Sequence, residues 1–178
     1  MTLRLCIWLL LLLVALPSEL PAQAFGASVG LAVPLGSLAE YRHTGYRAQG
    51  SLTSPGGRLR AEVAGVLLPG TEEPGVSPWR TRDWRSLSIG GSFLPTLGHS
   101  EALRVRALVG LSAHRSSMPG VSNPYGTVPG LQLGTVLERS WKTSILTAEL
   151  GLHVVASDFG VDELHGAFFL PFLVGIRW

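Results

Sequence analysis

Two positions apart, His114 and Ser116 offer an imidazole and a hydroxyl, the groups of a nucleophile and its base. Such a pair works only if the base reaches the hydroxyl and an acid orients the base. The next acid along the chain is Glu138, which the pattern below puts at the opposite rim. His114 and Ser116 read as a polar loop edge, and no catalytic residue is assigned. The other histidines, His43, His99, His153 and His165, lack metal-ligand spacing and read as solvated or hydrogen-bonded side chains. Asp158, Asp162 and Glu163 share the acidic stretch SDFGVDELHG, which fits no calcium loop. No phosphate loop, dinucleotide fingerprint or zinc motif occurs, so no cofactor or metal is expected. The charges left to explain are Arg60, Glu62, Arg104, Arg106 and Glu149, each flanked on both sides by apolar residues. Their role depends on the elements that hold them.

The start of the chain sets a compartment. Arg4 precedes the apolar run Leu5–Leu16, followed by Pro17 and the small-residue site Ala22-Gln23-Ala24. This order predicts a Sec signal peptide over residues 1–24, leaving residues 25–178 as one exported domain. Cys6 is the only cysteine and lies in the signal. The mature chain therefore has no disulfide framework and no thiol chemistry. The formal net charge of +2 gives no reason to expect a nucleic-acid partner.

Beyond the signal no apolar run is long enough for a membrane helix. Period-two segments recur instead, between clusters of Gly, Pro, Ser and Asp. They predict eight strands: Phe25–Val33, Gly45–Thr53, Arg58–Leu68, Trp84–Leu94, Leu103–His114, Pro129–Glu138, Ser144–Ala156 and Ala167–Trp178. One face of each is apolar or small, as in Val29, Leu31 and Val33, or Val105, Ala107, Val109 and Leu111. The other face carries Arg47, Gln49, Arg60, Glu62, Arg104, Arg106, Gln132, Glu149, His153 and Arg177. A soluble barrel would turn those charges outward, and a membrane barrel turns them inward. The charge-free apolar face and the many small residues of the polar face favour the membrane, and so do the connections. They alternate long and short along the chain, as do the outer loops and periplasmic turns of outer-membrane barrels. Aromatics agree, with Phe25, Phe93, Trp141 and Trp178 expected at the periplasmic rim and Tyr46, Trp84 and Phe168 at the outer rim.

On these residues the chain resembles the small eight-stranded outer-membrane barrels: the OmpA membrane domain, OmpX and the opacity-like proteins. Its opening segment GLAVPLGSLAEYRHTGYRAQGSL is similar to their first hairpin, and the alternating Phe172, Val174, Ile176 and Trp178 resemble their C-terminal assembly signal. The resemblance implies an all-β, eight-stranded antiparallel up-and-down transmembrane barrel in the outer membrane of a Gram-negative-type bacterium. It also implies periplasmic chaperones and the barrel-assembly machinery as partners in biogenesis. Pro171 departs from the pattern, because proline removes a ladder donor, and predicts a bulge or fraying near the outer end. Some barrels of this size are lipid A deacylases that use a His-x-Ser pair, which makes a lipid-modifying enzyme one rival reading.

An eight-stranded barrel is just wide enough for side chains to fill it. Ser88, Gly90 and Ser92 on the fourth strand offer a small floor on which long side chains can meet. We therefore expect one buried ion-pair network of Arg60, Glu62, Arg104, Arg106 and Glu149, since lumen charges must pair. The excess of inward arginine is then met by water, carbonyls or a bound anion. The connection Pro69–Asp83 is the longest and carries Trp79, Arg80 and Arg82, candidates for contact with lipopolysaccharide phosphate or a partner protein. The function expected is structural or surface-interacting in the outer-membrane lipid. A narrow pore for small solutes is the other rival, and a soluble secreted barrel is a lesser alternative.

Overall fold

The computed structural model describes residues 24–71, 82–117, 126–156 and 166–178. Strand β1 (Ala24–Leu35) leads into a short helix α1 (Ser37–Tyr41). There follow β2 (Gly45–Thr53), β3 (Leu59–Leu68), β4 (Trp84–Phe93), β5 (Thr96–His99), β6 (Leu103–Ser117), β7 (Val128–Trp141), β8 (Ser144–Val155) and β9 (Ala167–Arg177). Apart from β4 and β5, neighbours in sequence pair antiparallel, β9 pairs with β1, and β4 pairs with β6. The sheet is thus closed, with no free edge. Nine strands make eight staves, because β4 and β5 are two parts of one. Both pair with β6, β4 along Val109–Ser117 and β5 along Arg104–Arg106. The break falls at Leu94-Pro95, where proline has no N–H for the ladder. Hydrogen bonds from Leu94 N to Arg58 O (2.7 Å) and from Ala107 N to Pro95 O (2.9 Å) carry the wall across it.

The sidedness is that of a membrane barrel. Val29, Leu31, Val63, Ile89, Leu111, Leu133, Leu150 and Val174 point outward and are exposed, whereas Arg47, Arg106, Gln132 and His153 are buried in the lumen. The start of β1 and the C-terminal residue lie at one end, tied by Phe25 N to Trp178 O (3.0 Å) and Trp178 N to Phe25 O (2.9 Å). Short turns cluster at this end. One of them needs glycine: Gly57 has φ +66, and a Cβ there would meet an Arg106 guanidinium nitrogen at 2.7 Å. The longer connections are at the opposite end, the outer end by the rule for such barrels.

Several expectations are corrected. The connection after β1 holds α1, whose Leu38 is buried against the strands. Strand β6 runs three residues past His114 because Arg85, Ser86 and Leu87 of β4 pair with Ser117, Ser116 and Arg115. His114 and Ser116 are therefore inside the barrel, not at a loop edge. Trp84 does not sit in a rim belt. It faces inward and is fully buried, because it has the parity of Ser86 and Ser88 on its strand. Pro171 produces neither bulge nor fraying. The β8–β9 ladder skips the pairs opposite Pro171 and Leu170, then resumes in unchanged register at His153↔Phe169. The missing N–H costs one local gap, while the β1 side stays paired at Ala32↔Pro171.

Candidate functional site

The lumen is filled in layers, and each is set by the inward parity of the strands. Nearest the termini, Glu138 of β7 accepts from Arg106 Nε (2.9 Å) and from an Arg177 guanidinium nitrogen (2.8 Å). Arg106 also donates to Leu94 O at 3.0 Å. Further in, Arg60 of β3 reaches across the lumen to Glu149 Oε2 of β8 at 2.6 Å. Its other amino nitrogen lies 3.0 Å from Glu62 Oε2, and its Nε donates to Ser92 Oγ at 3.2 Å. The second oxygen of Glu62 receives Arg47 (3.2 Å) and Gln132 Nε2 (2.8 Å). Every one of these side chains is nine-tenths buried or nearly so, where charge survives only with such partners.

Between the two clusters lies a polar cavity lined by Ser28, Ser51, Thr53, Glu138, Glu149 and Arg177, with about 30 Å³ of room. That is space for a water or two. On the other side of Arg47 comes a layer of His114, whose Nε2 is 2.8 Å from Ser112 Oγ and whose Nδ1 is 3.3 Å from Ser86 Oγ. A Cβ on Gly130 would run into this imidazole at 2.8 Å, so only glycine leaves the ring its place. His153 stacks on Phe169 with centroids 5.0 Å apart. The outer end is closed by apolar residues: Ala32, Leu38, Val66, Leu68, Trp84, Val155, Ala167 and Phe169. Trp84 meets Phe169 edge-on at 6.2 Å.

No family model and no curated protein matches the sequence. Among solved structures, the crystal structure of Neisserial surface protein A superposes with a TM-score of 0.65 at 19% identity, covering 87% of this chain and 95% of that one. The fold is that of an eight-stranded outer-membrane barrel. Looser likenesses are a major outer membrane protein from Thermus thermophilus (TM-score 0.49, 13% identity, 88% of this chain and 100% of that one) and the attachment invasion locus protein Ail of Yersinia pestis (0.42, 14%, 88% and 96%).

Of the five residues expected in one network, the barrel brings Arg60, Glu62 and Glu149 together. Arg106 belongs to the separate cluster on Glu138. Arg104 stands only at the edge of that second cluster: its guanidinium is half exposed at the rim, 3.9 Å from Glu138. Glu138 is the residue that the sequence reading left out of the lumen. It is the third buried carboxylate against the strand arginines Arg47, Arg60, Arg106 and Arg177, so the arginine excess is one, not three. Its parity with Gln132 on β7 was the available signal. Phe172, Val174 and Trp178 point outward and are exposed, and Ile176 is half-buried. Trp79, Arg80, Asp158, Asp162, Glu163 and His165 lie outside the described residues, whereas Arg82 is described and half-buried. His43 and His99 are exposed. Among the described residues no three metal-ligating side chains converge.

Proposed function

We propose that this barrel is an integral outer-membrane protein with a structural or surface-interaction role and a lumen that works as a filled core. Two seals in series carry the reading. The ionic layer spans the lumen from β3 to β8, and the apolar layer under α1 closes the outer end. The cavity between the ionic clusters is far too small for a solute path. Long outer connections, including the one with Trp79, Arg80 and Arg82, then carry whatever contacts the surface makes. Lipopolysaccharide and outer-membrane lipid are the surroundings, and the outward Phe172, Val174, Ile176 and Trp178 serve as the signal for the assembly machinery. Planar-bilayer recording tests the reading: protein that shifts on a gel between unboiled and boiled samples inserts without conductance steps. Regular steps would establish the pore instead.

The lipid-modifying alternative is disfavoured by the surroundings of His114. Both ring nitrogens face serine hydroxyls, Ser116 points into the same closed lumen, and the pair lies beneath the layer of Trp84 and Phe169. Among the described residues the apolar layer stands between it and any lipid ester outside. Expression should leave lipid A acylation unchanged; loss of an acyl chain that disappears in Ser116→Ala would establish the enzyme.

A further inference from the structure

The charge-free outer wall ends at a particular place. Strands β4 and β6 carry outward Leu87 and Ala113 at the last apolar level, and one step further out they carry Arg85 and Arg115. The register Arg85↔Ser117 and Leu87↔Arg115 makes the two arginines diagonal neighbours on one exposed face. Arg85 has an ion pair with Asp83 at 3.8 Å, with both side chains largely in solvent, which is a weak contact. Nothing among the described residues pairs with Arg115. Two arginines diagonally adjacent at the edge of an apolar belt stand at the level of lipid headgroups.

A groove runs down the wall from Arg85. Its sides are Val29, Leu31, Tyr46 and Leu67, and its floor is the cross-strand pair Ala48↔Gly65. A second groove, between Leu59, Ala61, Gly91, Phe93, Val109 and Leu111, has no outward-pointing charged side chain in its lining. The first therefore joins an apolar furrow to a cationic end, which is complementary to a lipid with a phosphate next to its chains.

We propose that Arg85, Arg115 and the Ala48–Gly65 groove bind one phosphorylated lipid of the outer leaflet. Its phosphate is held between the guanidinium groups, and one acyl chain lies along the groove. The site rests on the outer-membrane reading and gives it a specific lipid contact. Gly65 supplies a clean probe, because a Cβ there meets nothing within 4 Å.

The test refolds the barrel in phosphatidylcholine nanodiscs doped with bisphosphorylated lipid A, or with the same lipid stripped of phosphate, and counts retained lipid by native mass spectrometry. The protein should prefer the phosphorylated form, and Arg85→Gln/Arg115→Gln should remove that preference, roughly fivefold per arginine. Arg85→Lys/Arg115→Lys, which keeps the charges, should largely retain it. Gly65→Leu should lower retention of both lipids, while Gly91→Leu in the second groove changes neither. Equal retention of the two lipids by the unaltered barrel, or a preference that survives the double glutamine variant, overturns the site. So does a Gly65→Leu variant that retains both lipids normally. Gel mobility before and after boiling separates the two levels: a chain that never folds in the nanodisc sinks the barrel itself, whereas a folded barrel indifferent to phosphate sinks only the lipid site.

Discussion

In the half of the lumen nearer the termini, guanidinium groups cross from wall to wall and end on carboxylates. In the outer half, Trp84, Phe169 and Leu68 close the same bore with no charge among them. Both fillings exclude solvent, but they constrain the barrel differently. An arginine that reaches Glu149 from β3 fixes two strands 89 positions apart along the chain, at atomic distance. Apolar side chains fill volume and tolerate small shifts. The ionic half therefore specifies which walls face each other, and the apolar half seals what they enclose. If Glu149 were shown to rest against a neighbour on its own strand instead of the guanidinium from the opposite wall, that division of labour would fail.

The comparison can be broken at its strongest point. Glu62→Gln leaves Arg47 and Arg60 short of a carboxylate in a buried site, and unfolding in detergent should show a loss of about 4 kcal/mol. A smaller loss than Trp84→Ala gives would reverse the assignment of roles. On the apolar side, Trp84→Ala removes the largest fully buried side chain among the described residues and should cost about 3 kcal/mol in the same denaturation experiment. Neither variant should conduct in planar bilayers, since each leaves the other seal in place. Glu149→Gln should cost on the order of 3 kcal/mol or somewhat less, because Arg60 keeps Glu62. The smallest effect sharpens the boundary of the network: Arg104→Gln should change stability by no more than about 0.5 kcal/mol. Arg106→Gln, only two positions away, should cost several times that, since Glu138 would then keep only Arg177 as a buried partner.

Much of the wall was legible in the chain. The second strand, Gly45–Thr53, has the bounds that its alternation predicts, and the apolar faces point to lipid on every stave. Where reading failed, partners distant in sequence had decided the matter. Pro95 looks like the end of a strand, yet β6 offers enough ladder for the stave to resume at Thr96. Ser116 looks like loop, yet pairing with Ser86 makes it strand. Helix α1 has no side-chain cap and one turn's length, so nothing local announced it; the apolar outer mouth gives Leu38 a place to bury. The lumen network was legible as a set of inward charges. Its division into two clusters was not, and neither was the half-exposed place of Arg104 at the edge of one of them.

The chain alone determined sidedness: alternation in a strand, a property of adjacent residues, separated two faces, and the charge-free face with the alternating connections said which of them meets lipid. Which inward groups meet was decided only by closure, because the stagger of eight tilted staves sets the height at which each side chain enters the bore.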